Sequence, residues 1–169
     1  MLPKTMSTLS TPQKNNTRRV LRGTVLFVSW ALVLWCAATI FLWSHETATV
    51  SSGKSNGVIA LLFSRFGITV TSHFVRKLAH ALEYFGLALL LYHAYAQSFR
   101  TVQPALTILT AVLYAATDEL HQYFIAGRAC QMRDVFVDAL GAGTSVLFCT
   151  AAYWVLKLCI QSISKKKGI

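Results

Sequence analysis

Ionisable and polar side chains recur at helical spacing around position 80. Four of them follow one another at intervals of four, three and four residues, so one face of a helix would present them together: His73, Lys77, His80 and Tyr84. Glu83 lies at the edge of this stripe, one turn beyond His80. Cationic and carboxylate groups on one helix face can bind an anionic group, orient it, or move protons.

Two later segments carry further polar groups at helical spacing. Asp118, Glu119 and Gln122 fall within an arc of about 100° of a helix. A second stripe repeats the spacing of four, three and four residues: Asp134, Asp138, Gly141 and Ser145. Its glycine would let a neighbouring helix come close. Arg128 lies between the two segments, and its planar guanidinium suits pairing with carboxylate or phosphate.

The composition places this chemistry in or beside a lipid bilayer. Of the 169 residues, 54% are hydrophobic and only 13% are charged, and the mean hydropathy is +0.50. A water-soluble domain carries about 25% charged residues. Because a spanning helix needs about 20 apolar residues, the chain has room for at most about five crossings and for no separate soluble domain.

Uncharged or weakly charged runs predict an all-α integral membrane protein with four transmembrane helices. The four helices are expected at residues 24–43, at 84–99 with two further turns from 76–83, at 101–117 and at 134–157. Residues 44–76 contain two short apolar runs, and Gly57 and Gly67 weaken a continuous helix there. This stretch is therefore predicted to be an external interfacial or re-entrant segment between the first two transmembrane helices.

The distribution of charge predicts the orientation of the bundle. Residues 1–22 are expected to be a disordered cytoplasmic tail, 23–160 the membrane bundle, and 161–169 a basic cytoplasmic tail. Ten of the 16 Lys and Arg residues lie on the side of the termini, whereas the other six and all 6 acids lie on the opposite side. The positive-inside rule then places both termini in the bacterial cytoplasm and the polar stripes at the outer leaflet.

The depth of the acids predicts that the polar stripes converge. At about 1.5 Å per residue, Glu83 and Asp138 lie roughly 6 to 9 Å deeper than Lys77 and Asp134. A charge at the centre of a bilayer costs about 2.5 to 3.5 kcal/mol, so these acids should face one another, a base or water. We expect Arg128 to lie within salt-bridge reach of an acid, and six side chains to meet: His80, Glu83, Glu119, Arg128, Asp134 and Asp138.

Four sequence blocks carry a family resemblance. They are RKLAHALEYFGL at residues 76–87, YAATDELHQ at 114–122, GR at 127–128 and RDVFVDALG at 133–141. Over residues 43–145, their order and spacing resemble those of the VanZ-like family of small bacterial membrane proteins. Ala126 and Gln131 depart from the family pattern, which has a Pro and a small polar residue at these positions. The resemblance carries over ten site residues: Lys77, His80, Glu83, Tyr84, Asp118, Glu119, Gln122, Arg128, Asp134 and Asp138.

The resemblance implies a role in the cell envelope and in low-level resistance to teicoplanin-type glycopeptides, but no particular reaction. In one interpretation the polar groups only fasten helix ends, with Arg76 or Lys77 facing Glu83. In the second they bind an anionic lipid or wall-precursor head group at the outer leaflet without turnover. In the third the chain is an intramembrane hydrolase or transferase acting on a lipid-linked or phosphorylated precursor. A transporter is disfavoured because the ionisable groups reach only partway across the membrane.

Cofactors and further partners are not indicated by the sequence. HExxH and CxxC motifs are absent, and Cys130, in the loop after Arg128, is expected to be an incidental thiol. The basic residues are divided between tails and membrane borders, which disfavours nucleic-acid binding despite a pI of about 9.8. We therefore expect membrane lipid as the partner, and no metal, cofactor or nucleic acid. The sequence does not define an oligomeric state.

Overall fold

The chain folds as five helices joined by short connections. A computed structural model describes residues 11–128 and 131–166, and its helices are α1 (Thr11–Ser44), α2 (Ala48–Phe66), α3 (Ser72–Phe99), α4 (Pro104–Gln122) and α5 (Met132–Lys166). No strand occurs among the described residues, so the prediction of an all-α fold is confirmed.

Helix α3 is the centre of the bundle, because it packs against each of the other four helices. Its buried side chains recur at helical spacing: Tyr84, Leu87, Ala88, Leu91, Tyr92 and Ala94. Most of them belong to one apolar cluster with small side chains of α4 and α5, namely Ala111, Ala115 and Ala142. Small residues at helix interfaces let the backbones approach closely. The core therefore combines large residues of α3 with small residues of its neighbours.

Helices α3 and α5 are in close backbone contact at Gly141. A Cβ atom at this position would lie only 2.1 Å from the carbonyl oxygen of Ala81, so no other residue fits without a shift of the backbone. Asp138 and Ser145 lie one turn to either side of Gly141, and both are buried. The predicted role of this glycine in close helix packing is confirmed.

The ends of α3 and α4 follow local sequence signals. The Thr71 Oγ1 atom caps α3 by accepting a hydrogen bond of 3.3 Å from the backbone N–H of Phe74. The polar residues 76–83 are consequently helical, as predicted. Arg100 closes α3 in a left-handed conformation with φ 60°, and Pro104 starts α4 at a position where its missing N–H has no helical partner.

Helix α2 occupies the stretch between α1 and α3 for which an external interfacial or re-entrant segment is predicted. The segment is more regular than expected, because the helix continues through Gly57 and ends only at Gly67. Gly67 has φ 65°, and its N–H donates to the carbonyl oxygen of Phe63 at 2.9 Å, a common left-handed helix ending. Among the described helices α2 packs on α3 alone, and large apolar side chains of α2 are exposed: Val50, Val58, Leu61, Phe63 and Phe66.

Two of the described helices are long and apolar enough to cross a membrane: Asn15–Ser44 within α1 and Met132–Lys165 within α5. Their large apolar side chains are exposed on the surface of the bundle, as shown by Trp35 at 68% and Leu147 at 72%. A core helix of a soluble protein would bury such side chains. The two helices therefore indicate a membrane protein, while the four predicted crossings stay a prediction.

The helices extend further toward the termini than predicted. Residues 11–22, which were expected to be disordered, continue α1, and residues 161–166 continue α5. Adding turns to an existing helix needs no new nucleation, so polar residues with ordinary helix propensity can extend an apolar helix. The remaining parts of the predicted tails, residues 1–10 and 167–169, lie outside the described residues.

Candidate functional site

A tight turn after α4 holds Arg128 in place. The Arg128 backbone N–H donates to the carbonyl oxygen of Ile125 at 3.1 Å, and Gly127 has φ 77°, which glycine adopts without strain. The guanidinium donates from Nη1 to Gln122 Oε1 and from Nε to the carbonyl oxygen of Glu46, both at 2.9 Å. The Gly-Arg pair thus fixes a cation between the ends of α1 and α4.

Asp118 lies within a buried chain of hydrogen bonds at the same end of the bundle. Its Oδ2 atom accepts from Ser44 Oγ at 2.7 Å and from Gln122 Nε2 at 3.1 Å. Because Gln122 also accepts from Arg128, the chain leads from Arg128 to Asp118 through a neutral amide. Ser44 is not among the site residues predicted from the sequence, because the sequence shows it only as a hydroxyl residue at the end of an apolar run.

Other predicted site residues connect the helices that surround Arg128. Lys77 of α3 forms an ion pair with Asp134 of α5. Glu119 Oε1 of α4 accepts a hydrogen bond of 2.7 Å from the backbone N–H of Gln131, just before α5. His80 Nδ1 lies 3.6 Å from Glu83 Oε2, which is beyond hydrogen-bond reach. Part of the polar set therefore fastens helix ends, as the structural interpretation proposed.

The expected salt bridge of Arg128 does not form, and Lys77 pairs with Asp134 rather than with Glu83. The ion pairs between permanently charged side chains of the described residues are Lys54 with Glu46 and Lys77 with Asp134. The acids near Arg128 have other partners: Asp134 pairs with Lys77, Glu119 accepts from Gln131, and Asp118 accepts from Ser44 and Gln122. The sequence identified these residues but not their pairing.

Three acids and a tyrosine form a carboxyl cluster behind Arg128, defined here as Glu83, Tyr84, Asp118 and Asp138. Asp118 and Asp138 are each only 2% exposed, and Tyr84 is fully buried. The three carboxyl groups lie close enough to act electrostatically on Tyr84. Asp138 also interacts with Glu119 and Asp134. The structure thus brings acids from α3, α4 and α5 together, as the depth argument predicted.

This cluster contains buried polar atoms that no protein group satisfies. Within the described part of the chain, six such atoms have no hydrogen-bond partner: His80 Nδ1, Glu83 Oε2, Tyr84 OH, Asp118 Oδ1, Asp138 Oδ1 and Ser145 Oγ. Each unsatisfied buried polar atom destabilises a fold by about 1 to 3 kcal/mol. Four of the six atoms belong to the carboxyl cluster, so the cluster has hydrogen-bonding capacity that the described protein groups do not use.

A cavity of about 190 Å³, here called the basic pocket, opens beside Arg128. It is lined by His73, Arg76, Lys77, His80, Gln122, Gly127, Arg128, Gln131 and Asp134. Asp134 is the single carboxylate among these residues, and Lys77 neutralises it. Burial, and secondarily the charge of Arg76, lower the pKa of the Arg128 guanidinium, which nevertheless stays protonated at physiological pH. The pocket is therefore electropositive.

Arg76 is the least constrained cation of the basic pocket. Within the described residues, its guanidinium has no ion-pair or hydrogen-bond partner. Arg76 and Arg128 nevertheless lie close enough to repel one another. The sequence analysis considered Arg76 only as a structural partner of Glu83, although it precedes Lys77 directly in the RKLAHALEYFGL block. An anion between the two guanidinium groups would relieve their repulsion.

A second cavity of about 150 Å³, here called the lateral pocket, lies between α2 and α3. It shares three lining residues with the basic pocket: Arg76, His80 and Arg128. Its other lining residues are Trp43, Ser51, Lys54, Ser55, Val58, Val75, Ala79 and Glu83. The two pockets therefore meet at a junction of three cationic or ionisable side chains.

Metal binding finds no geometric support in the described residues. No three His, Cys, Asp or Glu side chains of residues 11–128 and 131–166 are arranged to hold a metal ion. His45 Nδ1 and His121 Nε2 contact each other at 3.2 Å, and Phe41 stacks on the His121 ring at 4.4 Å. Cys130 lies outside the described residues.

The model of a family described as VanZ/LLP1 matches residues 26–156 of the chain. This range covers most of the chain and includes every lining residue of the basic and lateral pockets. Comparisons with curated proteins and with solved structures each gave no match.

Proposed function

Because the chain belongs to the VanZ-like family, we propose that it is a cell-envelope membrane protein that binds an anionic group in the basic pocket. The observation that carries this proposal is the junction of Arg76 and Arg128. Both guanidinium groups line both pockets, and neither forms an ion pair with a described carboxylate. Phosphate and carboxylate match the planar donor pattern of arginine.

The proposed setting is the outer leaflet of a bacterial cytoplasmic membrane. Helices α1, α3, α4 and α5 cross the bilayer, α2 lies at the outer interface, and both termini are cytoplasmic. The length and exposed apolar surface of α1 and α5 support this topology, as does the ten-to-six division of basic residues. The basic pocket then opens at the outer face of the membrane.

The proposed biological role is envelope modification connected with teicoplanin-type glycopeptide resistance. Binding an anionic lipid or wall-precursor head group would change which molecules a glycopeptide can reach at the outer leaflet. This role needs no turnover, which agrees with a site whose Lys77, Gln122 and Glu119 also hold helix ends together.

Binding of glycerol 3-phosphate to the detergent-purified full chain, followed by calorimetry, tests the proposal. We expect saturable binding to the wild type and a loss of at least about tenfold in affinity for Arg76→Gln. Arg65→Gln is the matched control, because Arg65 is exposed near the end of α2 and lines neither pocket. Absence of saturable binding, or an equal loss in Arg65→Gln, would contradict a specific anion site.

The biological role is tested separately by the glycopeptide susceptibility of cells that express these variants at equal membrane abundance. We expect Arg76→Gln to abolish any resistance that the wild type confers, and Arg65→Gln to preserve it. Equal resistance in cells with the wild type and with Arg76→Gln would contradict a role of the basic pocket in glycopeptide resistance.

A second candidate function, hydrolysis or transfer of a phosphate ester, is favoured by the position of His80. This side chain lines both pockets, and its Nδ1 atom lies 3.6 Å from Glu83 Oε2. Catalytic hydrogen bonds are often this long in ligand-free structures and tighten when substrate binds, so Glu83 would orient the imidazole in the complex. In this function His80→Gln would leave affinity for glycerol 3-phosphate within about threefold of the wild type. It would also abolish phosphate release from a lipid-linked phosphate ester.

A further inference from the structure

The basic and lateral pockets differ in the chemistry of their walls. Apart from the shared junction, the basic pocket is lined by polar residues and one glycine: His73, Lys77, Gln122, Gly127, Gln131 and Asp134. Half of the unshared wall of the lateral pocket is apolar: Trp43, Val58, Val75 and Ala79. A ligand that reached from one pocket into the other would therefore meet a polar wall and then a partly apolar one.

The size of the two pockets favours one ligand that occupies both. Their volumes are about 190 and 150 Å³, each below the about 300 Å³ at which small-molecule sites begin. Only together do they reach that size. Arg76, His80 and Arg128 line both pockets. A ligand whose anionic group is bound by these three residues would therefore extend from them into both pockets.

Helix α2 sets the direction in which an apolar group would leave. It forms one wall of the lateral pocket through Ser51, Lys54, Ser55 and Val58, and among the described helices it packs on α3 alone. Its exposed apolar side chains include Leu61, Phe63 and Phe66. Exposed apolar side chains on a helix at a bilayer interface lie against lipid. In the proposed topology, the lateral pocket therefore lies beside a helix that contacts lipid.

From these walls we infer that the ligand is a membrane-anchored phosphate ester. Its phosphate lies at Arg76, His80 and Arg128, its polar head extends into the basic pocket, and its apolar stem leaves through the lateral pocket between α2 and α3. The inference rests on the proposed function, because it assigns the ligand class of the same anion site. A water-soluble phosphate without an apolar stem would fill only part of the site that the basic and lateral pockets form together.

Two probes with the same phosphate monoester distinguish a site for a ligand with an apolar stem from a site for phosphate alone. Glycerol 3-phosphate has no apolar stem, whereas dihexanoyl phosphatidic acid adds two short acyl chains. Dihexanoyl phosphatidylcholine, which is zwitterionic, controls for apolar binding alone. We expect the purified full chain to bind dihexanoyl phosphatidic acid at least about tenfold more tightly than glycerol 3-phosphate, because of the additional apolar burial. We expect the phosphatidylcholine to bind more weakly than the phosphatidic acid.

The variant Ala79→Leu fills the lateral pocket without changing a lining residue of the basic pocket. Leucine has nearly the helix propensity of alanine, so α3 should be preserved. Val58→Trp fills the pocket from α2 and serves if Ala79→Leu does not fold. Ala116→Leu is the matched control, because Ala116 is exposed on α4 and lines neither pocket.

In the pocket-filling variants we expect the advantage of dihexanoyl phosphatidic acid to disappear while the affinity for glycerol 3-phosphate stays within about twofold. Ala116→Leu should bind both as the wild type does. Two results would contradict the inference that the ligand has an apolar stem: equal affinity of the wild type for the two phosphates, or an equal loss of affinity for both in Ala79→Leu and Val58→Trp. Neither result would contradict the anion site. Failure of the wild type to bind either phosphate would refute the proposed function itself.

Discussion

Arg76 and Arg128 share one pocket but are held differently. Arg128 uses two donors, to Gln122 and to the carbonyl oxygen of Glu46, whereas Arg76 has no protein partner among the described residues. We expect Arg128→Lys to lower the free energy of unfolding by roughly 1 to 3 kcal/mol, because one ammonium group cannot replace both hydrogen bonds. Arg76→Lys should leave it unchanged. Thermal unfolding in a fixed detergent measures both, and equal stability of the two variants would contradict this distinction.

The acids of the site also divide into a structural and a functional class. Asp134 pairs with Lys77, whereas Asp138 lies among other acids with Oδ1 unpartnered. We expect Asp134→Asn to destabilise the protein and Asp138→Asn to leave it equally stable or to stabilise it by up to about 1 kcal/mol, because burial and the neighbouring acids already disfavour a charged carboxylate at position 138. Asp138→Asn should still impair resistance. A large destabilisation by Asp138→Asn would show instead that Asp138 has a structural role.

The identity of the site residues could be predicted from the sequence, but their pairing could not. Helical spacing alone places Lys77, His80 and Tyr84 on one face of α3. The partner of Arg128 depends on the path of the turn at residues 125–128 and on where α1 ends, and neither leaves a periodic signal. Ser44 and the carbonyl oxygen of Glu46 join the site for the same reason.

At the scale of the helices, two glycines only two residues apart on α5 differ in their packing, because they lie on opposite sides of the helix. A Cβ at Gly141 would collide with the backbone of Ala81 on α3, whereas a Cβ at Gly143 would meet nothing within 4 Å. We expect Gly141→Ala to destabilise the bundle by about 1 to 3 kcal/mol and to separate Asp138 from α3. Gly143→Ala should be neutral or stabilising because alanine favours the helix. Thermal unfolding of the two variants in the same detergent decides this, and equal effects would contradict the α3–α5 contact.

The helices themselves were predictable where apolar runs are long and less so where they are short. The apolar residues of α1 and α5 and the first-turn Pro104 of α4 identify these helices directly. Gly57 was expected to interrupt α2 but does not, because one glycine costs only about 1 kcal/mol in a helix. Gly67 does end α2, since there the chain needs a left-handed residue to turn toward α3.

At the scale of the whole molecule, the distribution of apolar and polar side chains is the reverse of that in a soluble protein. Large side chains such as Trp35 and Leu147 lie outside, while Asp118 and Asp138 lie inside. In a bilayer this arrangement is favourable, because lipid covers the apolar surface and the polar groups avoid lipid by facing the bundle interior. The same arrangement explains why the pockets open at one end of the bundle, where polar residues from α3, α4 and α5 can meet water.

The number of crossings is decided by the short connection between α3 and α4. If α1, α3, α4 and α5 all cross, this connection is cytoplasmic, whereas it is external if only α1 and α5 cross. We expect a membrane-impermeant maleimide to label Thr69→Cys in intact cells but not Asn15→Cys or Thr101→Cys, in a background where the natural cysteines are replaced by serine. The reason is the excess of basic residues on the side of the termini, which also includes Arg100 beside this connection. Labelling of Thr101→Cys in intact cells would reduce the topology to two crossings, and labelling of Asn15→Cys instead of Thr69→Cys would invert it and place the basic pocket in the cytoplasm.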